Sequence, residues 1–323
     1  MDNTDAVFKE ISFLKNEVNF DDLYLYPFNS PSSLFPRFLY GVNSLSRLSR
    51  FFDVDIFHVF APYLYFFPVF NLYDKPIVYT VLSSGEQSIK HINQLNSIDK
   101  IIVSNERARD NLLKAGLLNT YLIKPGIKLP NKDYSALNYV EADQPLKILM
   151  ASAPWTKNQI NSKGILSTLQ VAKDINVHIT FLLRGSFEIE FSSLIKANNL
   201  EHRATVVNRR VNIFEVLVKH HVTMLLAQES NIVKAYPHSL IESLIAKRPV
   251  IVSDTIAMSD LVKEEGLGEV VSGIEPDSLR IAIVKIQENY HQYVKRLEKF
   301  DINIFSSERY VSQTMDVYNE VLK

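Results

Sequence analysis

The stretch that decides the fold is Val222-Thr223-Met224-Leu225-Leu226-Ala227, a polar loop, Tyr236-Pro237-His238-Ser239-Leu240-Ile241-Glu242-Ser243-Leu244, then Arg248-Pro249-Val250-Ile251-Val252-Ser253. Two short, continuous apolar runs flank a segment of helical spacing. A strand apolar on both faces belongs to a parallel sheet covered by helices on both sides, so this is a strand–helix–strand unit. Pro237 marks the helix start, because a first turn has no hydrogen bond for the missing N–H to give up. That first turn, at His238 and Ser239, has N–H groups without helical partners and the positive end of the dipole, which together suit a phosphate. Glu242 would repel a diphosphate but suits a pair of ribose hydroxyls. The alternative for Glu242 is an ordinary acidic residue favouring the helix dipole.

The alternation continues on both sides of this unit. Strands are expected at 147–151, 177–183, 204–207 and 269–271, and helices at 164–174, 191–198, 212–220, 258–263 and toward the C-terminus. Pro125, Pro130 and Pro145 punctuate an aperiodic stretch, which sets a linker at 131–146. Before it come strands at 55–60, 76–81, 101–104 and 120–123, and a helix at 105–115 closed by Gly116. Val7, Ile11, Leu14 and Val18 predict an opening amphipathic helix, followed by a short strand at 22–27. The fold class is therefore α/β, with two doubly wound, Rossmann-like parallel-sheet domains at 1–130 and 147–300. Residues 301–323 read as a C-terminal helix packing back toward the first domain. Ligands of such folds bind outside the carboxyl ends of the strands, so a cleft between the two sheets is the expected site.

Composition removes several function classes. A formal net charge of −1 argues against a nucleic-acid partner held by bulk electrostatics. The absence of cysteine excludes disulfides and thiolate metal sites, and is compatible with a reducing, cytoplasmic location. Met1-Asp2-Asn3-Thr4-Asp5 is acidic and polar, unlike a signal peptide. The most apolar stretch, 59–70, is too short to span a bilayer and carries two prolines. Arg37, Arg47 and Arg50 lie among Phe35, Phe38, Leu45, Leu48, Phe51 and Phe52 with no acidic residue nearby. A membrane-surface helix, peripheral on the inner face, is one reading of them. A core-packed helix with a basic outer face is the other.

At Tyr236-Pro237-His238-Ser239-Leu240-Ile241-Glu242 and Arg248-Pro249-Val250-Ile251 the chain resembles the donor signature of the retaining, family 4 type glycosyltransferases of the GT-B fold. The resemblance covers nearly the whole chain. It implies that the helix start at Pro237, His238, Ser239 and Leu240 binds the diphosphate of a nucleotide sugar and that Glu242 holds the ribose. Lys163-Gly164 resembles the family's Lys-Gly pair, which implies that Lys163 neutralises the diphosphate; a solvated lysine is its plain alternative. His58 matches a histidine at the end of a first-domain strand facing the cleft, although a satisfied buried histidine is the competing reading. Arg184 and Arg209, after two strands, are further donor-side candidates, with solvated arginines as the alternative. The resemblance implies transfer of a UDP- or GDP-linked sugar to a hydroxyl of a glycan or lipid-linked acceptor, with retention and without metal or cofactor.

Several positions depart from the family's pattern. Its second carboxylate, eight positions before Glu242, is Lys234 here, and Glu229 is the nearby acidic substitute. Its first phosphate-binding arginine is replaced by Ser152-Ala153-Pro154-Trp155-Thr156-Lys157, where Lys157 is the candidate charge. Lys247 stands where a glycine usually ends the donor helix, and a left-handed cap without glycine costs roughly 1 kcal/mol. The pair His220-His221 closes a helix, a position that favours cationic side chains. The chain also opens on a helix, so the first strand and its Gly-rich acceptor loop are expected to be missing, or the sequence truncated. That motivates a second functional reading, a catalytically impaired donor-binding subunit of a glycosyltransferase complex.

Overall fold

The computed structural model describes residues 14, 54–61, 74–82, 98–134, 144–185 and 187–323. The expected strand at 22–27, the segment bearing Arg37, Arg47 and Arg50, and the opening helix apart from Leu14 lie outside them. The chain divides into two compact units, residues 1–128 with 304–323 and residues 129–303.

In the first unit β1 (Phe57–Ala61), β2 (Ile77–Val81), β3 (Lys100–Val103), α1 (Glu106–Lys114) and β4 (Thr120–Leu122) follow in order. The strands pair in parallel as β1-β2-β3-β4. Every residue of β2 is buried, as a strand covered on both faces requires. Helix α1 starts where Asn105 accepts a hydrogen bond from the Ala108 N–H at 2.8 Å, satisfying one first-turn donor.

The second unit contains β5 (Leu146–Met150), α2 (Gln159–Ser162), α3 (Ile165–Asp174), β6 (Val177–Leu182), α4 (Glu188–Ala197), β7 (Ala204–Val207), α5 (Ile213–Leu217) and β8 (Val222–Leu225). It continues with α6 (His238–Ile245), β9 (Val250–Ser253), α7 (Met258–Glu265), β10 (Gly268–Val271) and α8 (Pro276–Lys299). Its six strands are all parallel, in the order β10-β9-β8-β5-β6-β7. From β5 the chain winds outward through β6 and β7, then crosses back to β8 and winds the other way. The strand order therefore reverses between β5 and β8, and that is where a doubly wound sheet opens a crevice at its carboxyl edge. The expected linker is partly built into this unit: Leu146 belongs to β5, and Tyr134 stacks on Phe214 with ring centroids 5.0 Å apart.

After Asn303 the chain returns to the first unit with α9 (Ser307–Val321). Tyr310, Val311 and Val317 of α9 share a core with Val78, Ile102 and Ile123. The bridge between Ile127 and Ser306 lays the outgoing and returning strands of chain side by side.

Helix α6 ends as its sequence requires. Lys247 adopts a φ of 57°, its N–H reaches the Leu244 carbonyl at 3.0 Å, and the Arg248 N–H reaches that of Ser243 at 2.9 Å. This is the Schellman pattern, and the lysine occupies its left-handed position. The Lys247 Nζ donates to the Leu297 carbonyl at 2.9 Å, a bond glycine could not make. Lys247→Ala loses that bond and keeps the strain, whereas Lys247→Gly loses the bond and relieves the strain. We expect the glycine variant to be the more stable of the two by about 1 kcal/mol, read from urea midpoints at equal slope.

At the amino edge of this sheet the residues are buried, and one reading is corrected. Arg248 is the largest fully buried side chain among the described residues, at 0% exposure. Its guanidinium donates to the carbonyls of Leu217 and Tyr134, each at 3.3 Å, and is hydrogen-bonded to Tyr290. It lies before β9, at the edge of the sheet opposite the crevice. His220 and His221 are not a cationic pair. His220 Nδ1 donates to the Val216 carbonyl at 2.7 Å and Nε2 is hydrogen-bonded to Thr180 Oγ1 at 2.8 Å. His221 Nδ1 accepts the Lys147 N–H at 2.9 Å, and burial pushes this imidazole down to about 4. An amide can only donate, so His221 is neutral there, and burial lowers His220 as well.

Candidate functional site

Beyond Met150 the chain runs through Ser152, Ala153, Pro154 and Trp155 to α2 and then to Lys163-Gly164. Gly164 has a φ of 66°, and a Cβ there would lie 2.6 Å from Leu226 Cδ1 and 3.1 Å from Leu226 Cβ. Only glycine combines that backbone with that approach. Two residues earlier, the Ser162 carbonyl accepts the Gln228 N–H at 2.8 Å. The loops leaving β5 and β8, the two strands at the reversal, are thereby locked together.

Lys163 is held inside this junction at 3% exposure. Its Nζ donates to the Ala153 carbonyl at 2.8 Å and to Ser152 Oγ at 3.2 Å. It also lies 5.1 Å from the centre of the Trp155 ring. The described contacts bring it no carboxylate, and burial pushes the ammonium down from 10.5 to about 8. A lysine kept in this way is still mostly protonated at pH 7 and gains from an anion that replaces its lost hydration.

The loop after β8 is anchored from the other side too. Ala227 N–H donates to Ser253 Oγ at 3.1 Å, Thr255 Oγ1 donates to the Ala227 carbonyl at 2.7 Å, and Met258 N–H donates to the Ala235 carbonyl at 3.0 Å. This loop leads through Tyr236 and Pro237, both buried, into α6. Pro237 is the N-cap, extended at φ −68° and ψ 130°, and its own side chain makes no capping hydrogen bond. The Pro237 carbonyl accepts from Leu240 and Ile241 at 3.0 and 3.2 Å. Leu240 is fully buried, and its N–H is the one bonded to the Pro237 carbonyl. His238 and Ser239 are half-buried in the first turn, and Glu242 is half-buried one turn on. Lys234 is half-buried in the loop, while Glu229 is exposed before the short 3₁₀ turn Ser230–Ile232.

The other expected residues stand farther out. Lys157 is exposed just before α2. Arg184 and Arg209 are exposed beyond the carboxyl ends of β6 and β7, one and two strands from β5. Asn208 ties their loops together, accepting from the Gly185 N–H at 3.1 Å and donating to its carbonyl at 2.9 Å. Arg209 is thus about 10 Å from β5 by strand spacing alone.

His58, in the first unit, is the second residue of β1 rather than its end. Nδ1 pairs with the Tyr318 hydroxyl at 2.5 Å and Nε2 with Thr80 Oγ1 at 2.7 Å, joining β1, β2 and α9. Burial pushes the imidazole down to about 3, so it is neutral.

Two features of the site were not singled out from the sequence, namely the Ser152 and Ala153 partners of Lys163 and the indole over it. The available signal was that Trp155 is the only tryptophan of the chain and stands where a basic residue was sought. Among the described residues no group of three His, Cys, Asp or Glu could hold a metal ion, and no helix is long and apolar enough to cross a membrane.

No family model matches this sequence, and no curated protein matches it. Solved structures do. A glycosyltransferase from Rickettsia africae ESF-5 is similar with a TM-score of 0.71 and 17% identity, over 95% of this chain and 87% of that one. The lipopolysaccharide outer core galactosyltransferase WaaB is similar at 0.68 and 14% identity, over 90% and 82%. Anabaena HepE, solved with UDP and glucose, is similar at 0.65 and 14% identity, over 90% and 84%. The chain spans only 58% of TarM, another similar structure. At these identities the likeness shows the fold: two Rossmann-like parallel-sheet units, the architecture named GT-B.

Proposed function

We propose that this chain is a glycosyltransferase moving a sugar from a nucleoside-diphosphate sugar to a hydroxyl of a glycan or lipid-linked acceptor, with retention and without a metal. The observation that carries this reading is the junction at the strand reversal. There a buried lysine and the loop leading to a helix start at Pro237 are locked together. The donor is a substrate, and no cofactor is assigned. Transfer breaks the bond from the anomeric carbon to the diphosphate, which keeps the electron pair. The Lys163 ammonium and the N–H groups at His238 and Ser239 stabilise that growing charge, the kind of preorganised electrostatics that usually dominates catalysis. Glu242, one turn further, takes the ribose hydroxyls. Lys157, Arg184 and Lys234 are assigned to charge around the donor, with Arg209 outermost. His58 is given no proton transfer, because both its ring nitrogens are engaged.

Similarity to HepE, whose structure contains UDP and glucose, makes UDP-glucose the first donor to try. The deciding experiment follows released nucleoside diphosphate over a panel of UDP- and GDP-sugars, with and without EDTA. Turnover insensitive to EDTA supports the reading in full. Tight binding of a donor without turnover for any member would favour the donor-binding subunit, which Lys234 at the second carboxylate position motivates.

Glu242→Gln tests the ribose assignment directly. Hydrogen bonds from a charged group contribute about 1.5–3 kcal/mol, so UDP affinity should fall roughly tenfold to a hundredfold. Affinity for inorganic pyrophosphate, which has no ribose, should not change. Equal losses for both ligands in calorimetry would instead place Glu242 in the scaffold.

A further inference from the structure

The indole of Trp155 is held in an unusual place. It is 57% exposed, while the ammonium beneath it is buried. An ammonium has three N–H donors. Two are taken by Ala153 and Ser152, and the face of Trp155 covers Nζ at 5.1 Å from its centre. The backbone carrying the ring is fixed: Pro154 before it is buried, and the Trp155 N–H donates to Gln159 Oε1 at 2.8 Å, on the first residue of α2. The side chain, by contrast, has open space on its outer face. A phosphate approaching Lys163 competes with the ring for the ammonium, and an anion outcompetes the quadrupole of an aromatic face. The displaced indole still stands at the mouth of the junction, with a large apolar face turned to solvent.

We propose that Trp155 is a ring-stacking residue of this site: it gives up its position over Lys163 to the diphosphate and packs on a flat ring of the same ligand. The proposal rests on the donor-site reading above. The ring is either the nucleobase or the hexose, and both present a flat face that an indole can cover. A tryptophan here sets which donors are accepted, a role separate from the charge stabilisation given to Lys163.

The test uses UDP, UDP-glucose, GDP, GDP-mannose and inorganic pyrophosphate, each titrated by calorimetry and by tryptophan emission. Trp155 is the chain's only tryptophan, so the emission reports this ring alone. Emission should change on binding. Trp155→Ala should weaken a ring-bearing ligand by about tenfold to a hundredfold, while pyrophosphate keeps or improves its affinity. Trp155→Phe should restore most of the loss. A loss already present with the bare nucleotide identifies the base as the stacked ring, and a loss confined to the nucleotide sugar identifies the hexose. Calorimetric binding that is the same in wild type and Trp155→Ala overturns the stacking and leaves the donor site standing. An equal loss for pyrophosphate also overturns it, since the ring would then act only by holding Lys163. Absence of heat with every ligand overturns both readings together. The side chain is exposed, so folding of the variants is expected and is checked by circular dichroism.

Discussion

With Lys163 replaced by methionine, transfer should fall by roughly a hundredfold to a thousandfold, the usual effect of removing one preorganised charge-stabilising donor. Methionine follows the same buried path as the lysine stem, so the chain should still fold. The loss should sit mainly in kcat, because charge on the leaving diphosphate grows as the bond breaks. The same residue sets a pH dependence. Burial holds the free ammonium at about 8, so kcat/KM should decline above that pH as the charge is lost. An alkaline limb near pH 8 in wild type, measured on released nucleoside diphosphate, checks this. A limb at pH 10 would contradict it.

Stability runs the opposite way. The folded-state value of Lys163 lies below its unfolded one, so the unfolded chain holds the proton more tightly. The native protein carries the full penalty of the buried charge below pH 8, and loses it as pH rises toward the unfolded value of about 10.4. A difference of about 2.5 units corresponds to roughly 3 kcal/mol. Compared with Lys163→Met, wild type should therefore gain roughly 2–3 kcal/mol between pH 7.5 and pH 10. Urea melts of both proteins at the two pH values isolate this term, since all other titrations are shared. A constant difference would mean that the lysine is hydrated in solution.

Gly164→Ala is the second large effect. Alanine at a φ of 66° carries about 1–2 kcal/mol of backbone strain. Its methyl group would also press on Leu226, which is fully buried and cannot retreat freely. Overpacking of this kind adds about 1–3 kcal/mol, giving a total near 2–5 kcal/mol. A urea midpoint shift measures it. Relief of the strain by moving α3 would carry Lys163 away from Ser152 and Ala153, so activity should fall further than the unfolded fraction explains. Leu226→Ala in the same chain should recover part of the stability by opening space for the methyl. Failure of that rescue would show that backbone strain dominates.

Much of the second unit could be read from its residues because local signals agreed with the tertiary arrangement. The strands through Ile148, Phe181, Met224 and Ile251 are apolar on both faces, and all four are buried in one core. Lys247 was legible as a left-handed cap because the resembled pattern has a glycine at that position. Gly164 was legible as a glycine beside a lysine, but not as a contact with Leu226, which lies 62 positions on in the chain. His220 and His221 misled, and the buried place of Arg248 was not foreseen, for a common reason. Charged or titratable residues are expected at surfaces, and only the folded chain shows carbonyls and hydroxyls arranged to receive them inside. His58 could be placed on a strand, but its partner Tyr318 is 260 residues away, beyond any local pattern. Trp155 carried no periodic signal, since it lies in a loop whose shape follows from α2 and Pro154.

The excursion of the chain out of its first unit and back also matters before the protein is complete. The segment bearing α9 emerges from the ribosome after all of residues 129–303. At about 5–20 residues per second, the first sheet waits on the order of ten to thirty seconds for its last helix. Throughout that delay Val78, Ile102 and Ile123 lack the cover that Tyr310, Val311 and Val317 provide. The second unit is continuous in sequence and can close first, so biosynthesis should reverse the order in which the two units appear in the gene. A nascent chain paused in that interval is a natural client for a ribosome-associated chaperone.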